Sequence, residues 1–322
     1  MLLRTDECCV MNSRSIKPFR TYEEQIQILR DRNLIFQSID EPVEWLKKVG
    51  YYRLSFYSYH WRDTESEDGR FLEGTQFSSV VSLYEFDRLL RNHVFAAMDT
   101  IEVAMRSRIG YALGELDETA HMELENFSNG FEHLKNLRSM LGRFTRAAER
   151  KDPVAKHHVD SYGSKLPIWV LVDFLDFSDL SRLYSYLKAP LQHQIAQDLN
   201  LDTAGHGRGR ASTPHLAGWL HQLSIVRNYC AHHARLWDRS LKPQAVAHGI
   251  KDGFFEGFTN RTQSTNMYGA IMIISFLLNA IEGNNSWAMD LKDLIEVHAE
   301  PIPGVVPKMG FPADWKAKMP WV

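Results

Sequence analysis

The sequence predicts an all-α protein, and three features of the chain lead to this prediction. No segment alternates apolar and polar residues with the period of two that marks β-strands. Residues 77–113 contain no proline and no glycine before Gly110, and their apolar residues recur every three to five positions. Residue types that start or stop helices stand at the ends of several apolar segments. A fold built from packed helices follows.

The composition is that of an ordinary globular protein. Hydrophobic residues make up 44% and charged residues 24% of the 322 residues, so the chain is not disordered and can bury a sizeable core. The formal net charge is −3. A nucleic-acid partner therefore requires positive charge that is concentrated at one place.

Cysteine usage and hydropathy predict a cytoplasmic protein with no membrane partner. The cysteines are Cys8, Cys9 and Cys230, and an odd number with two adjacent does not form a disulfide framework. Residues 1–16 lack the apolar core of a secretory signal. The most apolar run, residues 270–278, is well below the roughly 20 residues that span a bilayer, and we interpret it as a buried helix.

We expect three parts: a flexible lead-in over residues 1–20, one helical domain over residues 21–300 and an extended strap over residues 301–322. Residues from about 118 to 160 are expected to form a peripheral excursion of the domain. Five prolines exclude a long helix in the strap. The strap is expected to pack across the helices through its large aromatic residues, Phe311, Trp315 and Trp321.

Start and stop signals place the first helices. Thr21 and Glu24 have the spacing of a capping box, and a second helix is predicted from Pro42 to Val49 with Gly50 as its stop. Residues 51–61 are rich in aromatic side chains and allow two interpretations. One is a platform on which RNA bases stack, with Tyr52 and Arg53 as RNA contacts. The other is a core helix whose tyrosine hydroxyls point outward.

Residues 77–113 are predicted to form the longest helix. Its buried stripe consists of Leu83, Phe86, Leu90, Val94, Ala97, Ile101, Ala104 and Ile109. The polar residues between them are interpreted as a solvated face or as local ion pairs, such as Glu102 with Arg106. For Arg91, RNA contact is a further candidate role.

More helices are predicted in the second half of the chain. Pro167 stands in the first turn of one, Ser178 or Asp179 caps another that runs to Leu187, and two more cover residues 266–281 and 286–295. Four basic residues of the excursion are interpreted as exposed to solvent, with RNA contact as the alternative. They are Arg138, Arg143, Arg146 and Arg150.

Residues 202–214 are predicted to form a glycine-rich cationic loop, in which Arg208 and Arg210 are expected to contact RNA. The loop lacks the preceding strand and the lysine of a P-loop, which excludes nucleoside triphosphate binding of that kind. Thr213 and Pro214 start the following helix. Its buried side consists of Leu216, Leu220, Leu223 and Val226.

The C-terminal half of that helix carries the candidate catalytic residues Arg227, Asn228 and His232. An arginine can hold a phosphate, an asparagine can orient a neighbouring group, and a histidine can move a proton near neutral pH, so the set suits a phosphodiester. The alternative is a buried histidine and arginine that are satisfied by local hydrogen bonds. Arg235 and Arg239 continue the positive charge and are expected to contact RNA.

Helical geometry predicts that one copy of this motif is incomplete. Asn228 and His232 share one face, whereas Arg227 and His232 diverge by about 140°. A two-fold homodimer would bring two copies of each side chain to one cleft. The expected reaction is attack of an RNA 2′-hydroxyl on the adjacent phosphate, and it requires no metal or other cofactor.

Two other chemistries fit the sequence less well. A zinc site does not match the usual paired-ligand spacing, although four donors lie near one another: His221, Cys230, His232 and His233. A nucleophilic Cys230 paired with a histidine needs a polarising environment that nothing in the sequence specifies.

Six segments, in chain order, carry a resemblance to a known family. They are Lys17-Pro18 with residues 24–26, residues 50–54, residues 83–91, residues 166–169, residues 227–239 and residues 309–312. The segment at 227–232 resembles the Arg-Asn-x-x-x-His signature of the HEPN ribonuclease superfamily. Together the six segments are similar to the Abi-like (abortive infection, AbiD/AbiF-type) proteins of that superfamily.

This resemblance implies a HEPN-type helical bundle with additional helices and an extended C-terminal tail. It also implies a homodimer with the motif at the interface, and a metal-independent endoribonuclease that halts the growth of infected cells. Arg227, Asn228 and His232 carry the signature in this chain, with His232 as the catalytic histidine. RNA is the implied substrate, and a regulatory non-coding RNA is a further implied partner.

Two other functions stay open. One is a catalytically silent regulator that grips a structured RNA through the aromatic segment and the basic residues. The other is a purely structural interaction protein.

Overall fold

The computed structural model describes residues 16–38, 40–66, 68–163, 165–201, 213–242, 253–255, 258 and 265–322. These residues contain thirteen α-helices and no β-strand beyond isolated bridges, which confirms the all-α prediction. The helices are α1 (Tyr22–Asp31), α2 (Asp40–Val49), α3 (Tyr51–Ser58), α4 (Phe77–Gly114), α5 (Gly130–Glu149), α6 (Pro153–Tyr162), α7 (Ile168–Leu171), α8 (Phe177–Tyr186), α9 (Ala189–Gln197), α10 (Thr213–Ala231), α11 (Met267–Glu282), α12 (Ser286–His298) and α13 (Val305–Lys308).

The chain divides into two compact units, Met1–Val81 and Ser82–Val322, and the boundary falls within α4. The first unit includes the first turn of α4, where Phe77 and Val80 line the same small apolar space as residues of α1, α2 and α3. The first turn of α4 thus completes the core that α1, α2 and α3 form.

The first unit contains the predicted helix signals. Thr21 and Glu24 form both hydrogen bonds of the capping box at the start of α1. The helix α2 starts at Asp40, two residues before the predicted position, and ends at Val49 as predicted. Gly50 connects α2 to α3 with a φ of 88°, which a glycine adopts without strain.

The helix α4 is 38 residues long and confirms the predicted longest helix. All residues of its predicted stripe are buried: Leu83, Phe86, Leu90, Val94, Ala97, Ile101, Ala104 and Ile109. Glu102 and Arg106 form the predicted ion pair one turn apart.

The helix α8 begins differently from the prediction. Its cap is Asp176 rather than Ser178 or Asp179, since the Asp176 carboxylate accepts a hydrogen bond of 2.8 Å from the backbone N–H of Asp179. Asp179 is instead fully buried and forms ion pairs with Arg143 of α5 and Arg182 of α8. In the sequence, Asp176 and Asp179 could each cap this helix. The packing of α5, whose Arg143 pairs with the buried Asp179, leaves Asp176 as the cap.

In the second unit α10 packs against α8, α9 and α11. Its predicted buried residues Leu216, Leu220, Leu223 and Val226 are at most 1% exposed. The apolar residues 270–278 lie in α11 and are buried, which confirms their interpretation as a core helix. Within the described ranges, every helix falls short of the length and apolarity that crossing a membrane requires.

The C-terminal segment packs through Phe311, Trp315 and Trp321, which are buried as predicted. It is not fully extended, however, because it contains α13 and a 3₁₀ turn at Trp315–Ala317. Pro307 is compatible with α13 because it stands in the first turn, where backbone N–H groups have no partner within the helix.

Candidate functional site

The candidate residues lie where α10 ends. The backbone N–H of His232 still donates to the Asn228 carbonyl at 3.0 Å, so the helical turn includes His232. His233 then takes a left-handed conformation with φ of 55°. The N–H of Ala234 donates to the Tyr229 carbonyl and that of His233 to the Cys230 carbonyl, which is the Schellman pattern of helix termination. The motif therefore stands on a defined helix end.

Arg227 is held by a carboxylate of another helix. Its Nε lies 3.6 Å from Oε2 of Glu102 on α4, and Oε1 of Glu102 accepts a hydrogen bond of 2.5 Å from Nη2 of Arg106. Arg106 in turn donates to the Leu175 carbonyl at 2.8 Å. Burial raises the pKa of Glu102, while the charges of Arg106 and Arg227 act in the opposite direction. Glu102 thus connects the two guanidinium groups.

Arg227 is only partly covered by these contacts, since its side chain is 28% exposed. Its guanidinium carbon lies 5.9 Å from the ring centroid of Phe95, and its Nη1 donates to Oδ1 of Asn228 at 3.4 Å. Asn228 and His232 are exposed. An anion can therefore approach the guanidinium, the amide and the imidazole from solvent.

The loop after the motif is fixed by a second acid of α4. One oxygen of the fully buried Asp87 accepts hydrogen bonds from the backbone N–H groups of Leu236 and Trp237, at 3.0 and 2.8 Å. Its other oxygen pairs with Arg91. Arg91 is 4% exposed, which corrects its assignment as an RNA contact: its charge balances Asp87 in the interior.

Two other predicted RNA contacts lie beside the motif. The guanidinium of Arg239 stacks on the ring of Tyr229, 4.2 Å from its centroid, and Nε donates to the Arg235 carbonyl. Arg235 donates to the Asp238 carbonyl at 3.2 Å. The predicted contacts Arg208 and Arg210 lie outside the described residues.

In the first unit, α3 presents part of its aromatic segment to solvent. Tyr52 is 75% exposed and its ring meets that of Phe56 edge to face at 4.9 Å. Arg53 and Tyr59 are also exposed, whereas Tyr57 is buried. The helix thus combines both interpretations of the segment, a core side and an exposed aromatic side.

Cys230 does not have the properties of a nucleophile or of a zinc ligand. It is buried, and burial raises its pKa to about 12, so it stays a neutral thiol. His221, His232 and His233 are exposed. In the part of the chain that the structure describes, no group of three or more histidine, cysteine or acidic side chains is placed to hold a metal.

The contributions of Asp87 and Glu102 to the site were not predicted, because Asp87 was counted among the solvated or locally paired residues of α4 and Glu102 was paired only with Arg106. The spacing of the charged residues in the sequence could have indicated this. Arg91 and Glu102 are eleven residues apart, about three helical turns, and therefore lie on nearly the same face of the helix. Asp87 lies one turn before Arg91. That face also carries the buried Met98 and Met105. Charged residues in phase with a buried stripe indicate buried ion pairs.

Comparison with known proteins gives one finding. Residues 44–238, which include α3, α4, α10 and the motif, match the family described as Abi-like protein. No curated protein and no solved structure matches the chain. The matched range covers more than half of the 322 residues. The chain therefore belongs to the Abi-like protein family.

Proposed function

We propose that this protein is an anti-phage abortive-infection protein that cleaves RNA without a metal, at Arg227, Asn228 and His232. The observation that carries the proposal is the end of α10, where a six-residue segment holds an exposed imidazole, an exposed amide and a guanidinium fixed by Glu102. Membership in the Abi-like protein family supports abortive infection as the broad role.

The reaction is attack of an RNA 2′-hydroxyl on the adjacent phosphorus. The P–O2′ bond forms and the P–O5′ bond breaks, which leaves a 2′,3′-cyclic phosphate and a 5′-hydroxyl. His232 takes the proton of the 2′-hydroxyl or gives one to the departing 5′-oxygen. Arg227 stabilises the charge on the phosphoryl oxygens, and Asn228 orients the neighbouring groups.

The proposal includes a homodimer. One α10 supplies one imidazole, whereas the reaction uses both a base and an acid. Because the helical turn extends to His232, that side chain and Arg227 leave the helix about 140° apart. A two-fold axis beside this helix end would place two copies of each at one cleft. RNA is then the substrate, and the same surface suits a regulatory non-coding RNA.

The test compares purified wild-type protein with His232→Ala on single-stranded and structured RNA, in the presence of a metal chelator. We expect cleavage by the wild type and a loss of at least about 100-fold in the variant, since a general acid or base contributes on that order. His221→Ala is the matched control, because His221 is an exposed histidine of the same helix.

The same variants are compared for protection of growing cells against phage. Protection and cleavage that are unchanged in His232→Ala would refute the ribonuclease. The dimer is tested by mixing the wild type with an excess of the inactive His232→Ala protein. A cleft that uses the imidazoles of both chains loses activity as mixed dimers form, whereas a site within one chain keeps the activity of the wild-type protein that was added.

A second candidate function is a catalytically silent regulator that binds a structured RNA. The exposed Tyr52 and Arg53 on α3 favour it, because aromatic rings beside a cation suit base stacking. Arg235 and Arg239 would add phosphate contacts in the other unit. Tight RNA binding without cleavage by the wild type would select this candidate.

A further inference from the structure

A second basic site lies on α5, away from the motif. A pocket of about 420 Å³ opens there, and three of its lining residues are arginines. Its lining consists of Arg143, Arg146, Ala147, Arg150, Asp152 and Phe174. We call it the α5 pocket. The proposed reaction uses none of these residues.

Two of the three guanidinium groups are available to pair with a negatively charged ligand. Arg143 is neutralised, because it forms ion pairs with Asp176 and with the buried Asp179. Arg146 and Arg150 are exposed, and neither forms an ion pair with a carboxylate of the described residues. The guanidinium of Arg146 lies back over the preceding turn, where Gly142 has no side chain: a Cβ built there would lie 3.5 Å from Nη1.

The carboxylate in the lining of the α5 pocket is that of Asp152, and it serves as a helix cap. One oxygen of Asp152 accepts hydrogen bonds from the backbone N–H groups of Val154 and Ala155, at 3.0 and 3.1 Å, and so caps α6. With three arginines against this one carboxylate, the lining is positive, although the whole chain is slightly acidic.

The α5 pocket connects to the motif through a short series of contacts. Phe174, which lines it, is followed in the chain by Leu175, whose carbonyl accepts from Arg106. Arg106 bonds to Glu102, and Glu102 faces Arg227. A nucleic acid bound at Arg227 carries further phosphates along its backbone, and a second basic site on the same unit can bind one of them.

We propose that the α5 pocket binds a backbone phosphate of the RNA, other than the phosphate at Arg227. This inference rests on RNA as the ligand of the proposed function. The chemistry is that of the guanidinium, whose planar fork donates two parallel hydrogen bonds to phosphate oxygens. Two such groups beside one pocket can donate to both non-bridging oxygens of a phosphodiester.

The experiment measures RNA binding in a His232→Ala background, so that RNA is not consumed. Fluorescence anisotropy with a labelled single-stranded RNA gives Kd over a series of salt concentrations. For Arg146→Gln/Arg150→Gln we expect Kd to rise about tenfold or more, as when hydrogen bonds to a charged group are removed. The slope of log K against log salt should become shallower by about 0.7 for each phosphate that the variant no longer neutralises.

Arg138→Gln is the matched control, because Arg138 is an exposed arginine of α5 that does not line the pocket. It should change Kd less than twofold. The unfolding midpoints of both variants should equal that of the background protein, since the substituted side chains are exposed. An equal effect of the control and the double variant would mean that net charge alone acts, and would refute the pocket.

Other outcomes separate the pocket from the ribonuclease. An unchanged Kd in the double variant of a protein that cleaves RNA refutes the pocket alone. Binding that depends on Arg146 and Arg150, in a wild type that does not cleave, refutes the ribonuclease alone. Protein that binds inorganic phosphate or an acidic peptide through these arginines, but not RNA, overturns the inference.

Discussion

Arg227 gains its position from Glu102, a residue that lies 125 positions earlier in the chain. The carboxylate divides its two oxygens between Arg106 and Arg227, so it limits where the latter guanidinium can point. We regard Glu102 as a positioning residue, because in the proposed reaction it contacts Arg227 rather than the RNA. Its buried setting also raises its pKa.

Glu102→Gln removes the negative charge with little change in shape. We expect the rate of RNA cleavage to fall about tenfold, because Arg227 is held less firmly, which corresponds to about 1.4 kcal/mol in the barrier. The pH profile should also lose the part of its acid limb that reflects protonation of Glu102, and a merely structural role would not change that profile. Single-turnover cleavage across pH is the measurement.

Asp99→Asn is the control for this prediction, since Asp99 is an exposed carboxylate of α4 close to Glu102. It should keep the wild-type rate and the acid limb of Glu102, with that limb moved to slightly lower pH because the charge of Asp99 raises the pKa of Glu102. A Glu102→Gln protein with the rate and profile of Asp99→Asn would show that Glu102 does not position Arg227. Measurement of the unfolding free energy distinguishes that result from a loss of folded protein.

At the scale of the element, the end of α10 determines where the motif stands. The Schellman hydrogen bonds stop the helix just after His232. The loop that follows is then held by the carboxylate of Asp87, which accepts from two consecutive backbone N–H groups. The motif is therefore fixed on one side by its own helix and on the other by α4.

His233 is the left-handed residue of this helix end, so its substitution tests the element. His233→Val should lower the free energy of unfolding relative to His233→Gly by about 1–2 kcal/mol, because a β-branched residue disfavours a φ of 55°. Chemical denaturation of the two variants measures the difference. Comparison with glycine removes the effect of losing the imidazole, and equal stabilities would show that the helix does not end in this way in solution.

At the scale of the whole molecule, buried histidines link stability to pH. His121 and His133 are almost fully buried, and Nε2 of His133 donates to the His121 carbonyl at 2.8 Å. Burial lowers the pKa of both rings, to about 4 for His121. Among the described residues, Nδ1 of each ring has no hydrogen-bond partner, so an added proton there would be unsatisfied.

Acid should therefore destabilise the protein. Protons bind more tightly to these histidines in the unfolded chain, where the pKa is 6.5, than in the folded one. The stability they contribute is complete above pH 6.5 and is lost as pH falls towards 4. For His121 the loss reaches about 3 kcal/mol at pH 4.

The measurement is the free energy of unfolding between pH 7 and pH 4. His121→Asn should show a weaker pH dependence than the wild type, whereas His232→Ala, which removes an exposed imidazole, should show the same dependence as the wild type. A His121→Asn protein with the full wild-type dependence would contradict the assignment to this buried ring.

The sequence by itself determined the helices and the motif. Their signals are local: the capping box at Thr21, the apolar stripe of α4 and the apolar run of α11 each act within a few turns. The position of Arg227, Asn228 and His232 in the C-terminal half of one helix also followed from the sequence, whereas the end of that helix just after His232 came from the structure. Chemistry at these residues stays a prediction.

The tertiary structure decided which polar residues of α4 support the site. Whether Asp87, Arg91 and Glu102 face solvent or interior depends on what packs against that helix, and α10 lies more than a hundred residues later. The same holds for the α5 pocket, where packing neutralises Arg143 and leaves Arg146 and Arg150 with their charge. The sequence shows which residues are charged. Whether such a residue forms a buried ion pair or faces solvent depends on the neighbours that the fold brings to it.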